Sequence, residues 1–312
     1  MRKQFAQAGA VACSMAFAAM TLFAGCGNTT DTSSTEEAVQ TTEAETTEQE
    51  TTESETETLQ TEETTTEEVT TEEVTTVEET EETTEEDGLW DNKADISWID
   101  PEKPMVAFAF DDGPKSTAET SSSMRIQKAL SDNGQHATFF YWGNSLNDST
   151  AEEIRMAYEA GFEIGNHTWS HPYLTELTEE EAAEDIEKMR QALEDITGEK
   201  EFLIRAPYLS TNATVLAIPN VPFVSCGIDT KDWNNATAEE IEDKIITAYE
   251  NGTLENQILL MHETYNTTAE AVEYLVPYLV ENGYQIVTVS ELFKANGVEM
   301  QNGVVYNNCP KQ

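Results

Sequence analysis

Three of the four histidines in this 312-residue chain, and its Asp-Asp-Gly-Pro run, stand at the ends of short apolar stretches. Val106-Ala-Phe-Ala-Phe110 leads into Asp111-Asp112-Gly113-Pro114, Phe162-Glu-Ile-Gly-Asn166 leads into His167-Thr-Trp-Ser-His171, and Ile258-Leu-Leu-Met261 leads into His262. Such stretches are strand-like, and side chains at the C-terminal ends of strands in an α/β protein converge on one site. His167 and His171 are four residues apart, a spacing at which two imidazoles reach one ion. A carboxylate from elsewhere would complete a three-ligand set with an open position. That chemistry is metal-dependent hydrolysis.

The elements that must position these groups alternate. Strand-like runs fall at 105–110, 137–141, 162–165, 202–204, 222–228, 257–261 and 285–289. Helical periodicity is clearest at 123–133, 151–160, 179–196, 238–250 and 268–281. Several helical stretches stop at a glycine (Gly134, Gly161, Gly198, Gly252, Gly283), the residue that best tolerates the left-handed turn closing a helix. Strand, helix, glycine, strand, repeated six or seven times, predicts a parallel sheet covered by helices, open or closed into a barrel. No all-β pattern is present.

Five motifs in order make the chain resemble the polysaccharide deacetylases of carbohydrate esterase family four, the nodulation-protein-B homology domain. They are Phe110-Asp-Asp-Gly113, His167-Thr-Trp-Ser-His171, Arg205-Ala-Pro-Tyr208, Asp229-Thr-Lys-Asp-Trp233 and Leu260-Met-His262. They run across 105–292, where a lone Asp-Asp-Gly would be an ordinary turn. The resemblance implies a distorted (β/α) barrel with about seven parallel strands. It also implies hydrolysis of N-acetyl or O-acetyl groups through a tetrahedral oxyanion. Asp112, His167 and His171 would hold a divalent metal, zinc first and cobalt, nickel or manganese as alternatives. Asp111 would be the general base, held ionised by Arg205, and His262 the general acid. Asp232, with Asp229 close behind it, would orient His262. Trp233 and Tyr208 would line a sugar groove, and the Tyr208 backbone N–H would be an oxyanion donor. Leu209 departs from the family's usual glycine and Ala109 from its frequent threonine. His136, the fourth histidine, reads as structural.

The rest of the chain says where this chemistry would happen. Arg2 and Lys3 precede an apolar run from about Phe5 to Ala24, too short for an ordinary membrane span, ending in Leu22-Phe-Ala-Gly-Cys26. The run resembles a bacterial lipoprotein signal peptide over 1–25 with Cys26 lipidated, although Phe23 departs from that motif. Residues 26–87 read as a Thr/Glu-rich stalk. The 23 acidic and no basic residues of 31–87 cannot bury enough apolar surface to fold. A neutral coil of about 60 residues would average about 45 Å end to end, and self-repulsion lengthens it. Residues 88–312 are one domain's worth of chain, with 38 acidic against 14 basic residues. That balance argues against nucleic acid or anionic lipid as partner and fits a neutral or cationic glycan. These features predict a monomeric enzyme anchored to the outer face of a bacterial membrane. Cys226 and Cys309 could bridge in an oxidising compartment, or Cys226 could be a buried thiol.

Two other classes fit parts of the pattern. A glycan-binding module would not need the base and the acid. A non-haem iron oxygenase shares the two-His-one-carboxylate set but has no use for a free Asp111 and His262. For substrate, peptidoglycan N-acetylglucosamine or N-acetylmuramic acid leads, followed by acetylated xylan and chitooligosaccharides.

Overall fold

The structure, a computed structural model, describes residues 88–311. The signal segment, Cys26 and the stalk lie outside the described residues. Among the described residues there are eight short strands: β1 Met105–Gly113, β2 Thr138–Tyr141, β3 Glu163–Asn166, β4 Phe223–Val224, β5 Ile228–Asp229, β6 Ile258–His262, β7 Gln285–Val287 and β8 Val305–Tyr306. The helices are α1 Ser122–Asp132, α2 Asp148–Glu159, α3 Glu179–Thr197, α4 Ala213–Ala217, α5 Ala238–Glu250, α6 Asn266–Glu281 and α7 Val289–Ala295.

β1 is the centre of the sheet. Residues Met105 to Phe110 are buried on both faces, which explains a continuous apolar run where a half-exposed strand would alternate. The strand order is β3-β2-β1-β6-β5, all parallel, with β7 on the opening residues of β1. From β3 the ring continues through parallel bridges Asn166–Ile204 and Ile204–Phe223, and so reaches β4. The stretch holding β4 and β5 therefore touches both ends of the arc, and the α/β sheet bends round as the distorted barrel predicted from the motifs.

Three expectations change. The 202–204 strand is reduced to the bridge at Ile204. The 222–228 run divides into β4 and β5, because its two halves serve different neighbours. The change of neighbour passes Gly227, where a Cβ would stand 2.0 Å from Gln257 Oε1 and 2.9 Å from the Asn307 carbonyl. The 285–289 strand ends at Val287. There Thr288 accepts from the Glu291 N–H while Glu291 accepts from the Thr288 N–H, a reciprocal cap that starts α7. No helix among the described residues is long and apolar enough to cross a membrane.

Candidate active site

The register of the sheet sets the first half of the site. Asp111 lies directly beside His262 across the β1–β6 pair, so both reach the same end of the barrel. Asp112 takes a left-handed backbone (φ 69°), which turns its carboxylate away from that of Asp111. Glycine at 113 is required, since a Cβ there would stand 1.3 Å from Glu263 Oε1.

Asp112, His167 and His171 come together. Asp112 Oδ1 is 3.4 Å from His167 Nε2 and 3.2 Å from His171 Nε2, and the three ligand atoms all lie within 4.8 Å of one another. His167 Nδ1 is 2.7 Å from the Arg205 carbonyl and donates its proton there. In the neutral ring this leaves the Nε2 lone pair facing Asp112. Asp112 Oδ1 is buried and has no hydrogen-bond donor. A carboxylate oxygen and two imidazole nitrogens facing one another without a donor form a set that fits a divalent cation. Burial works to raise the Asp112 pKa, yet the two imidazoles hold it far below the usual carboxylate range. For His167, burial opposes the charged form, but Asp111 and Asp112 raise its pKa. The site thus attracts positive charge.

The loop between the two histidines is strained and held. Thr168 and His171 both have positive φ (68° and 59°), conformations that persist only when the surroundings fix them. Asn166 Oδ1 accepts from Thr168 N (2.8 Å) and its amide donates to the Ile186 carbonyl. Asp185 on α3 accepts from the backbone of Trp169 and Ser170 and from the Ser170 hydroxyl. Asn166 and Asp185 were not singled out from the sequence. Asn166 was visible at its strand end, whereas nothing in a solvated helix face marked Asp185.

Asp111 is 3 % exposed and receives Arg205 Nη1 on Oδ1 at 2.9 Å. Its Oδ2 lies 3.8 Å from His167 Nε2, facing the ligand atoms. Arg205 is wholly buried, with Nη2 on the Ser225 carbonyl and its guanidinium over the Phe140 ring.

His262 Nδ1 is 2.8 Å from Asp232 Oδ1, and its backbone N–H donates to Asp232 Oδ2. Thr268 Oγ1 and Trp233 N complete the shell around this buried carboxylate. Burial works to lower the His262 pKa, yet the Asp232 hydrogen bond and the nearby carboxylates push it up to about 9. His262 Nε2 faces Asp112 Oδ2 at 3.9 Å. Asp229 does not make this bond: its Oδ1 accepts from Lys231 N and shapes the turn.

Tyr208 and Trp233 are exposed at the rim, 55 % and 50 %. Tyr208 packs edge-on to His171 and stacks on Tyr173 at 3.8 Å. Tyr173 and Tyr265, the latter edge-on to His262, are further rim aromatics that no motif marked. Tyr208 and Leu209 are both left-handed (φ 57° and 55°), so the leucine occupies backbone suited to glycine. Cys226 is half-buried and Cys309 buried, and both are free thiols, so the bridge is not formed. His136 bonds Glu291 at 2.7 Å, a structural role.

A family model for polysaccharide deacetylase matches residues 99–220. The chain is 33 % identical over 194 residues to the peptidoglycan-N-acetylmuramic acid deacetylase PdaC of Bacillus subtilis, covering 62 % of this chain and 40 % of that protein. It is 30 % identical over 201 residues to the peptidoglycan-N-acetylglucosamine deacetylase PgdA of Listeria monocytogenes, covering 64 % and 41 %. The chain thus spans about two fifths of the length of these relatives. Among solved structures, B. subtilis PdaC superposes with a TM-score of 0.59 at 31 % identity, over 64 % of this chain and 94 % of that one. A family 4 acetyl xylan esterase from Clostridium thermocellum, in complex with a cobalt ion, superposes with a TM-score of 0.60 at 31 % identity, over 66 % and 99 %.

Proposed function

The chain belongs to the polysaccharide deacetylase family, carbohydrate esterase family four, and from that membership we propose that it removes acetyl groups from a polysaccharide by metal-dependent hydrolysis. The observation that carries the reading is the buried Asp112 Oδ1, without a donor and facing two imidazole nitrogens. Asp112, His167 and His171 would hold the metal, with zinc suited to two nitrogens and one oxygen and cobalt, nickel or manganese as alternatives. When bound, the metal polarises the acetyl carbonyl and brings the pKa of a water toward about 7.

The chain's own groups do the rest. Asp111, its Oδ1 occupied by Arg205, takes the proton of the attacking water on Oδ2. The Tyr208 backbone N–H stabilises the developing oxyanion. His262, oriented by Asp232, gives its Nε2 proton to the departing amine or alkoxide. The rim aromatics Trp233 and Tyr208 offer flat faces to sugar rings.

The substrate is a cell-wall glycan, N-acetylglucosamine or N-acetylmuramic acid of peptidoglycan. Two observations support it: the names of the relatives and a sequence that reads as a signal peptide, a lipidated Cys26 and an acidic stalk. The enzyme then works as a monomer on the outer face of the bacterial membrane. The xylan esterase neighbour supports an O-acetyl ester as the second reading. The test is acetate release from peptidoglycan, acetylated xylan and acetylated chitooligosaccharides, each with and without a chelator. Chelator-sensitive release from peptidoglycan is expected. Release from xylan alone favours the esterase, and none from any of the three overturns the proposal.

A further inference from the structure

Against the end of β1 that carries Asp111 and Asp112 lies a second group of buried side chains that deacetylation does not use. Glu263 follows His262 in the turn just past the end of β6. Its carboxyl presses on Gly113, is 1 % exposed, and neither oxygen has a hydrogen-bond donor. Glu153 on α2 is fully buried. Its Oε2 accepts from the backbone N–H groups of Lys115 and Ser116, while Oε1 has no partner. The hydroxyls of Tyr141 and Ser123, both 0 % exposed, also lack partners. Ser123 adjoins both carboxyls, and the Tyr141 ring faces Gly113 beside Glu263. Burial first, and then the charges of Glu263 and Glu153, push the Tyr141 phenol well above its usual range. Gln127, one turn along α1 from Ser123, brings an unpartnered amide end to the same helix face.

Two carboxyls buried together with a single counter-charge between them are costly. That charge is the Lys115 ammonium, held by the Ser122 hydroxyl and the Thr264 carbonyl, which acts on both carboxyls and leaves the pair one positive charge short. A shared proton would join one carboxyl oxygen to another, and neither the Ser123 nor the Tyr141 hydroxyl stands in hydrogen-bonding geometry to the carboxyl oxygen that remains. A hard cation would take all five oxygens, and it prefers such an all-oxygen set of carboxylates and neutral groups. We propose that Glu153 and Glu263, with Ser123 and Tyr141, bind a calcium-class cation, separate from the nitrogen-rich Asp112–His167–His171 set. The ion would fasten α1, α2 and the turn after β6 to the end of β1 that bears the two aspartates.

The test uses the full chain with His167→Ala, so that ion binding at the histidine set does not confuse the count. The chelator-treated protein is titrated with Ca²⁺, followed by calorimetry and thermal melting, and with Tb³⁺, followed by luminescence excited through aromatic rings. The stalk contains no Trp or Tyr, so diffuse binding to its glutamates stays dark. One equivalent of Ca²⁺ should bind, at about 10⁻³ M or tighter, with a rise in melting temperature and terbium emission. Glu153→Gln/Glu263→Gln should lose all three responses. Tyr141→Phe, which keeps the ring, should weaken Ca²⁺ about tenfold or more, by analogy with other supporting groups of metal sites. Circular dichroism of each variant reports the fold. The proposal is overturned if the His167→Ala protein binds no calcium, or if Tyr141→Phe and a folded double variant bind it as tightly. A double variant more stable than its parent at every calcium concentration would also overturn it and would point to a shared proton.

Discussion

Asp111 and Asp112 are chemically identical neighbours, and a single backbone angle gives them different surroundings. If Asp111 is the base, Asp111→Asn should keep metal yet lose about 10²–10⁴-fold in turnover, while Asp112→Asn should lose metal as well. Elemental analysis beside single-turnover rates separates the two, and the opposite pattern would exchange their roles. His262 makes a pH prediction. As the proposed acid it must carry a proton, and its pKa is pushed up to about 9. Turnover should therefore persist to about pH 9 and fall as pH rises through it. Asp232→Asn removes the main cause of that shift, so the alkaline limb should move down toward the ordinary histidine value of about 6.5. A limb unchanged in that variant would mean that another group sets it.

At the scale of elements, the strand ends and helix caps were largely legible, and the exceptions have causes. Thr288-Val-Ser-Glu291 spells a helix cap, but it follows Gln285-Ile-Val287 without a break and reads as more strand. β4 and β5 look like one strand because apolar pattern records burial and not the identity of the neighbour. Asp185 on α3 gives a test of how an element far in sequence supports the candidate ligands. Asp185→Ala should leave the fold intact but free the 168–170 loop and weaken metal binding about 10–100-fold, read by chelator competition. Leu209 tests the opposite case. Leu209→Gly should stabilise by about 0.5–1 kcal/mol, the relief of a left-handed leucine less the extra freedom of glycine in the unfolded chain. Urea unfolding measures it, and a destabilised variant would show that leucine packing outweighs the backbone strain.

For the whole molecule, the proposed anchor and stalk make separable predictions. Cys26→Ala should move the protein from the membrane fraction to the soluble one, and continued co-sedimentation with membranes would refute lipidation. Shortening the stalk should lower acetate release from intact cell walls while leaving release from soluble oligosaccharides unchanged. Sequence by itself determined the alternation of strands and helices, the residue types of the site and their order, because periodicity and strand-end chemistry are local properties. It also made the acidic character of the chain plain, since charge needs no fold to be counted. Only the tertiary structure decided that Asp232 and not Asp229 bonds His262, that Asp185 holds the histidine loop, and that Cys226 and Cys309 stay apart. It alone brought Glu153 to Glu263 beside the end of β1. Those pairings join residues from 15 to 110 positions apart in the chain. They follow from which strands become neighbours when the sheet bends round, a choice that no local pattern encodes.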